Sequence, residues 1–224
     1  MTTARFAARA ILFDLDGTLA DTAPDLGGAL NDLRARKGLA PMDLALLRPW
    51  ASAGARGLLG AGLQMQPGHP EYEAHRVAFL EIYESRLDRD SRLFDGIAAL
   101  LAGIEARGLR WGIVTNKIMR FTAPVVAGLG LQERAAVVIA GDTTPHAKPH
   151  PAPLLEACKR LGITPAEAVY LGDDLRDVEA AHAAGMPAVA VEWGYLGQAE
   201  LQTWGADAQI REPEDMLALL RPGS

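Results

Sequence analysis

The sequence predicts an α/β fold, a Rossmann-like doubly wound parallel sheet that carries an inserted α-helical cap domain. Short apolar runs alternate with amphipathic helical patterns along most of the chain, and such alternation favours parallel strands joined by right-handed helical crossovers. The runs are apolar on both faces, as in strands that helices cover on both sides. A long helical interval separates the first two runs, and it predicts the insertion.

Five apolar runs are the candidate strands of the sheet, at residues 10–15, 109–115, 136–140, 168–171 and 188–191. Three apolar stripes at helical spacing lie between them and predict crossover helices. The stripes are Ile97, Leu100, Leu101 and Ile104; Val125, Val126 and Leu129; and Leu154, Leu155, Cys158 and Leu161. Gly108, Gly130 and Gly162 follow the stripes, where helix C-terminal caps belong. Thr164 and Glu167 predict a capping-box turn before the fourth run.

The interval between the first and second runs is too long for one crossover helix and has two clear helical patterns of its own. Leu26, Leu30 and Leu33 lie on one face before Gly38, and a later helix carries Tyr72, Phe79, Leu80, Tyr83 and Leu87. We therefore expect a core domain of residues 1–19 and 94–224 and a helical cap domain of residues 20–93.

Composition and charge exclude several classes of protein. Hydrophobic residues make up 49% of the 224 residues and charged residues 22%, which is typical of a globular chain. The net charge of −6 argues against a nucleic-acid binder, since such proteins need a basic face. Cys158 is the only cysteine, so no intrachain disulfide can form, and its apolar helical neighbours predict core packing.

No apolar stretch approaches the roughly 20 residues that a membrane span requires. The apolar run at 10–13 is too short for the core of a signal peptide and is followed at once by acidic residues. We therefore expect a cytoplasmic protein without a membrane partner, either a monomer or a homodimer.

The first strand ends in Asp14-Leu15-Asp16-Gly17-Thr18, at the edge where doubly wound sheets bind their ligands. Two carboxylates this close need compensation. On its own the segment is compatible with a turn, a helix cap, a metal site or a nucleophile.

Three further polar sites follow later strands. Thr115-Asn116 offers a hydroxyl and an amide, Lys148-Pro149 an ammonium, and Gly172-Asp173-Asp174 with Asp177 more carboxylates. Each has an ordinary explanation as a helix cap or a surface charge. All of them converge at the carboxyl edge of one predicted sheet.

The charges at that edge predict a divalent cation. Like charges about 4 Å apart repel by ~4 kcal/mol at an effective dielectric near 20, so Asp14, Asp16 and Asp173 cannot face a phosphate unaided. An oxygen-rich ligand set suits Mg²⁺, and no cluster of histidines or cysteines indicates zinc. Lys148 supplies further positive charge.

As a set, these motifs resemble those of the haloacid dehalogenase superfamily over nearly the whole chain. Asp14-x-Asp16-Gly17-Thr18 is similar to its first motif, Thr115 to its second, Lys148 to its third and Gly172-Asp173-Asp174 to its fourth. The insertion is similar to the cap found between the first two motifs. Asp16 favours the phosphatase branch, because dehalogenases of the superfamily generally lack that acid.

The resemblance implies a hydrolase of phosphomonoesters that works through an aspartyl-phosphate. It implies that Asp14 attacks phosphorus, that Asp16 is the acid and base, and that Thr115 and Lys148 hold the transferring group. The metal ligands would be Asp14, the backbone carbonyl of Asp16, and Asp173. Thr18 and Asn116 are expected to bind substrate, and Asp174 and Asp177 to support the site, with Asp177 orienting Lys148 or a metal-bound water.

Within the superfamily, the sequence around these motifs is most similar to phosphoglycolate phosphatases. Ala53-Gly54-Ala55-Arg56 and Tyr195 also resemble enzymes that act on N-acetylmuramic acid 6-phosphate. We expect a small phosphorylated metabolite as substrate, with Arg56 at a helix start binding its carboxylate.

Three alternatives remain beside these. Another sugar phosphate is a possible substrate, and a phosphomutase of the same superfamily is a possible activity. A phosphoacceptor signalling domain is disfavoured because such domains are shorter and lack a large insert after the first strand.

Overall fold

The computed structural model describes residues 6–197 and 200–221. The strands are β1 (Ala10–Phe13), β2 (Ala20–Asp21), β3 (Arg92–Leu93), β4 (Arg110–Val114), β5 (Val137–Ile139), β6 (Ala168–Gly172), β7 (Ala188–Val191) and β8 (Ala208–Ile210). The α-helices are α1 (Ala23–Arg36), α2 (Leu44–Leu47), α3 (Gly54–Leu63), α4 (Tyr72–Glu84), α5 (Ile97–Glu105), α6 (Met119–Gly128), α7 (Ala152–Leu161), α8 (Leu175–Ala184) and α9 (Asp215–Leu219).

Six of the described strands form one parallel sheet in the order β5-β4-β1-β6-β7-β8. Each of the five predicted runs overlaps one of these strands, so the predicted doubly wound α/β fold is confirmed. The sixth strand, β8, and helix α9 were not predicted. Strand β8 has only three residues, and Gln209 within it is exposed, so the apolar pattern of a central strand is absent.

Each face of the sheet is covered by its own apolar cluster. One cluster holds the predicted stripe of α5, and the other holds Leu154, Cys158 and Leu161 of α7. Leu155 was predicted to belong to the α7 stripe, but it is 44% exposed, because the turn geometry of the helix carries it past the buried face. Burial raises the pKa of the Cys158 thiol to about 11, which agrees with a packing role.

The insertion between β1 and α5 is helical, as predicted, and has a third apolar cluster of its own. Its entry and exit run side by side, because β2 and β3 pair antiparallel. Asp25 of α1, fully buried, accepts hydrogen bonds from the backbone N–H groups of Asp90 and Ser91. The two connections are thus tied together close to the predicted boundaries, and the division into two domains at 20 and 93 stays a prediction.

The register of the sheet brings the ends of its central strands level. Phe13 at the end of β1 lies opposite Ile113 of β4 and Leu171 of β6. The residues that follow these three strands therefore meet at one edge. Among the described residues, no helix combines the length and the apolar character needed to cross a lipid bilayer.

The capping box predicted before β6 is present and yields a prediction about acid stability. Oε2 of Glu167 accepts hydrogen bonds from the backbone N–H and the hydroxyl of Thr164, both at 2.8 Å. These bonds, together with Arg9, lower the pKa of Glu167 from 4.5 to about 2. A carboxyl whose pKa is depressed by folding stabilises the fold above its unfolded pKa, and that contribution is lost as the pH falls toward its folded pKa.

We therefore expect Glu167→Ala to lower the free energy of unfolding at pH 7, and the deficit relative to wild type to shrink between about pH 4.5 and 2. Urea denaturation across this pH range measures the difference in free energy of unfolding between wild type and variant. Glu179→Ala, which removes an exposed glutamate, is the control. A deficit for Glu167→Ala that stays constant down to pH 2 would contradict the assignment.

Candidate active site

Asp14 is the first residue after β1, and its carboxylate is held from two sides. Oδ1 accepts a hydrogen bond from the backbone N–H of Leu15 at 2.7 Å and lies 3.0 Å from the ammonium of Lys148. The backbone N–H of Asp14 donates to the carbonyl of Leu171 at 2.9 Å, which continues the pairing of β1 with β6. The carboxylate therefore has a fixed direction at the carboxyl edge of the sheet.

Lys148 lies on the connection between β5 and α7 and is 5% exposed. Besides Asp14, its ammonium contacts Oδ1 of Asp177 at 2.7 Å, the hydroxyl of Tyr170 at 2.6 Å and the carbonyl of Val114 at 3.1 Å. These three partners come from three different elements: Asp177 from α8, Tyr170 from β6 and Val114 from β4. Although burial lowers the pKa of Lys148, Asp14 and Asp177 raise it above its ordinary value, so the side chain stays charged.

Three carboxylates form a compact group around this lysine. Each of Asp14, Asp173 and Asp177 offers an oxygen, and these oxygens lie within 4.8 Å of one another. Burial raises the pKa of Asp14 to about 7, and burial also raises the pKa of Asp173 well above its ordinary value. One ammonium does not compensate three carboxylates of which two are buried and the third is mostly buried, and an all-oxygen donor set of this size fits a hard divalent cation.

Asp173 follows β6 and is completely buried. Oδ1 accepts a hydrogen bond from the hydroxyl of Thr18 at 2.8 Å, and Oδ2 accepts one from the backbone N–H of Tyr195 at 2.8 Å. Gly17 is required beside it, because a Cβ there would lie 2.2 Å from Oδ2 of Asp173, and its φ of +88° disfavours other residues.

Asp16 has different partners from the other aspartates of the site. Its Oδ1 accepts hydrogen bonds from the hydroxyl of Thr22 at 2.5 Å and from the ammonium of Lys117 at 2.7 Å. Its side chain is not part of the three-carboxylate group. This separation is consistent with a metal contact through its backbone carbonyl, as the family resemblance implies, and leaves the carboxylate for another task.

Thr115 follows β4, is 2% exposed and lines the same cavity as Asp14. Its hydroxyl oxygen accepts a hydrogen bond from the backbone N–H of Lys117 at 3.1 Å. The hydroxyl hydrogen is therefore available to a ligand in the cavity, which suits the predicted contact with a transferring phosphoryl group.

The structure gives two predicted substrate ligands other contacts. The hydroxyl of Thr18 is buried against Asp173 and does not line the cavity. The side-chain amide of Asn116 bonds both backbone groups of Lys148, accepting from its N–H at 2.8 Å and donating to its carbonyl at 2.9 Å. Thr18 therefore supports Asp173, and Asn116, which also lines the cavity, supports the backbone of Lys148.

Asp174 and Asp177, which were predicted to support the site, lie at the start of α8. Asp174 is the N-cap residue, and Asp177 completes a capping box with it while also contacting Lys148. Asp174 forms an ion pair with Arg176, which lowers its pKa against the opposing effect of burial. Arg176 in turn donates to the backbone carbonyl of Ser52 in the insertion at 2.9 Å, so this group also connects core and insertion.

A cavity of about 310 Å³ lies above these residues. Its floor holds Asp14, Thr115 and Lys148, and apolar residues of the insertion, including Leu26, Phe79 and Leu80, form its wall. Three cationic side chains beyond those of the predicted site also line it, Lys117, Arg76 and Arg176.

Arg56 does not line this cavity, although it was predicted to bind substrate. Ala53 and the first two residues of α3, Gly54 and Ala55, do line the cavity. The next residue on α3 is Arg56, and it is exposed. One residue corresponds to about 100° of helix rotation, so a neighbour of a cavity-lining position can face solvent.

Sequence reasoning missed three residues of the site: Lys117, Tyr170 and Arg76. Lys117 directly follows Thr115-Asn116, and that position was the available signal for it. Tyr195 was named in the sequence only as part of a resemblance, and its hydroxyl accepts hydrogen bonds from the first backbone N–H groups of α1, at Thr22 and Ala23. No local pattern pointed to Tyr170 or Arg76.

Comparisons with known proteins agree with this geometry. The family model of the haloacid dehalogenase-like hydrolases matches residues 11–191. An N-acetylmuramic acid 6-phosphate phosphatase of Pseudomonas aeruginosa is 42% identical over 217 residues, which cover 96% of this chain and 96% of that protein. A phosphoglycolate phosphatase of Xanthomonas campestris pv. campestris is 44% identical over 209 residues, covering 93% and 94% of the two chains.

Among solved structures, that of a predicted phosphoglycolate phosphatase from Haemophilus somnus 129PT has a TM-score of 0.82 and 27% identity, and the match covers 98% of this chain and 99% of that one. These findings confirm the resemblance based on the four motifs, and with it the prediction of an enzyme. Since the family model and the relatives extend over most of its length, the chain belongs to the haloacid dehalogenase-like hydrolases.

Proposed function

We propose that this hydrolase is a magnesium-dependent phosphatase that cleaves a small phosphomonoester through an aspartyl-phosphate on Asp14. One observation carries the proposal: the Asp14 carboxylate lies 3.0 Å from a buried lysine at the floor of a cavity, beside two further buried carboxylates. Relatives named as phosphatases, at 42% and 44% identity over almost the whole chain, support the same reaction class.

The residues divide the reaction into two displacements. Asp14 attacks phosphorus, the bond from phosphorus to the ester oxygen breaks, and Asp16 gives a proton to the departing alcohol. Asp16 then takes a proton from water as that water attacks phosphorus, which releases inorganic phosphate and restores the Asp14 carboxylate. One group serves both steps as acid and base, because each step needs the opposite proton transfer.

Thr115 and Lys148 hold the transferring phosphoryl group while its charge develops, and Asp177 keeps the lysine in place through the 2.7 Å contact. Asp14, Asp173 and the backbone carbonyl of Asp16 are the groups that would hold Mg²⁺, with Asp177 close enough to contribute. When bound, the cation offsets the negative charge of the carboxylates and of the phosphoryl oxygens.

Two substrates are suggested by the relatives, phosphoglycolate and N-acetylmuramic acid 6-phosphate, and the similar identities of the relatives do not separate them. The cavity has a volume of about 310 Å³, and apolar residues of the insertion line part of it. A phosphorylated two-carbon acid fills only part of that space. The cavity therefore favours the sugar acid, whose apolar ring face can pack on the wall formed by Phe79 and Leu80.

Arg76 is the residue of the insertion that suits the carboxylate of such a substrate. Its Nε donates to Glu73 at 2.9 Å, and in the described part of the chain no hydrogen bond engages its terminal nitrogens. Seven residues separate it from Tyr83, or about 10 Å along α4 at 1.5 Å per residue. Because Tyr83 lies beside Lys117, the backbone of Arg76 lies about two helical turns from that part of the cavity.

Replacing the nucleophile tests the proposed covalent step. We expect Asp14→Asn to lose at least about 1,000-fold in kcat while keeping the fold, because an amide does not displace an alcohol from phosphorus. Phosphate release measures kcat, and circular dichroism checks that the fold is kept. Analysis of the products distinguishes hydrolysis from the isomerisation that a phosphomutase would catalyse. Activity of Asp14→Asn within tenfold of wild type would exclude catalysis through Asp14.

Removing the metal tests the role of the carboxylate group. We expect dialysis against EDTA to abolish phosphate release and added Mg²⁺ to restore it, because the three carboxylates and a substrate phosphate need the added positive charge. Bound Mg²⁺ should also raise the melting temperature of wild type by ligand linkage, and Asp173→Asn should lose most of that increase. Full activity in EDTA would contradict the proposal.

A matched pair of substrates tests Arg76 against Arg56. N-acetylmuramic acid 6-phosphate carries a lactyl carboxylate that N-acetylglucosamine 6-phosphate lacks. We expect Arg76→Gln to raise KM for the acid about tenfold or more with little change in kcat, since a charge-assisted hydrogen bond is worth ~1.5–3 kcal/mol.

The same variant should leave KM for the substrate without a carboxylate within about twofold of wild type. If Arg56→Gln raised KM for the acid and Arg76→Gln did not, the residue chosen from the sequence would be the right one and Arg76 would be excluded.

A further inference from the structure

We infer that Lys117 is a positioning residue, which fixes the carboxylate of Asp16 and links it to the insertion through the ring of Tyr83. This inference rests on the proposed function, because it assigns Lys117 a task for the acid and base of that reaction. It concerns how the acid is aimed at the leaving oxygen, and it involves neither phosphate binding nor the metal.

The contacts of Asp16 are one-sided. The hydroxyl of Thr22 and the ammonium of Lys117 both donate to Oδ1, at 2.5 and 2.7 Å. Within residues 6–197 and 200–221, no hydrogen bond to Oδ2 is present. Two donors on one oxygen stop the carboxylate from rotating and leave the second oxygen to meet the leaving group in the cavity that Asp16 lines.

Burial makes the contact with Lys117 strong enough for this task. The side chains of Lys117 and Asp16 are 8% and 14% exposed, so water competes weakly for either charge. The other buried lysine of the site, Lys148, is engaged by Asp14 and Asp177. Among the described residues, Lys117 is therefore the cation paired with Asp16.

Tyr83 connects this pair to the insertion. The ammonium of Lys117, which follows β4 in the core, lies 5.0 Å from the centre of the Tyr83 ring on α4, a distance typical of a cation–π contact. The ring is held in turn by Phe121 of α6, at 5.5 Å between ring centres in an edge-to-face arrangement. The insertion thus covers Lys117 and keeps water away from its pair with Asp16.

A leaving-group comparison separates this task from general support of the fold. An alkyl phosphate needs a proton on its departing oxygen, whereas p-nitrophenyl phosphate departs as a stable anion. We expect Lys117→Met to lower kcat for an alkyl phosphate about 100-fold, the usual contribution of an acid–base group, and kcat for p-nitrophenyl phosphate less than about fivefold. KM for both compounds should change little.

Three further variants sharpen the comparison. Lys117→Arg should recover part of the loss for the alkyl phosphate, because it restores a cation beside Asp16. Tyr83→Leu should show the same leaving-group dependence as Lys117→Met in weaker form, and Tyr83→Phe, which keeps the ring, should be closer to wild type. Lys159→Met, at a lysine whose side chain is 81% exposed, controls for the loss of a surface charge.

Equal losses for both compounds, or a loss confined to KM, would overturn the inference, and so would an unchanged kcat for the alkyl phosphate. Melting temperatures of all variants identify any loss that comes from unfolding. A wild-type protein that releases phosphate from neither compound would contradict the proposed function itself, whereas the ranking of the variants contradicts only the task assigned to Lys117.

Discussion

The site depends on one electrostatic constraint: Asp14, Asp173 and Asp177 are brought together in the interior with Lys148 among them. Moving charges out of water is costly, and the cost is offset only by close partners of opposite charge and by hydrogen bonds to the remaining oxygens. Lys148 provides part of this compensation and a divalent cation the rest. Lys148 and a cation can offset the charge of the carboxylates only if the carboxylates are already held in place. Most of the surrounding polar contacts serve to hold them.

The parallel sheet supplies that rigidity at low cost. Neighbouring strands end level, so residues that follow different strands become neighbours without any long loop having to be ordered. Side chains that lie behind the reacting groups then fix the remaining freedom. Thr18 holds Asp173, and Asn116 holds the backbone of Lys148. Such residues belong to the same motifs as the reacting ones because a short segment can supply a reactive group and its support together.

This explains how far the sequence could predict the site. Strand ends are visible in a sequence, so Asp14 and Asp173 could be predicted at the sheet edge from position and charge. Roles that depend on the direction of a side chain could not be predicted in this way. In the sequence, Thr18 after the first strand looks the same whether its hydroxyl faces the cavity or the core. Arg76 was missed for a related reason: a helical stripe shows that one face is buried, but not which neighbouring helix or cavity that face meets.

Helix α4 then gives the insertion two separate tasks on one face. Tyr83 near its end lies against Lys117, the partner of Asp16, whereas Arg76, about two turns earlier, also lines the cavity. Seven residues are close to two turns of helix, so both side chains project from the same face of α4. The side chain that covers Lys117 and a cationic side chain that lines the cavity therefore come from one rigid element, and the packing of α4 positions both.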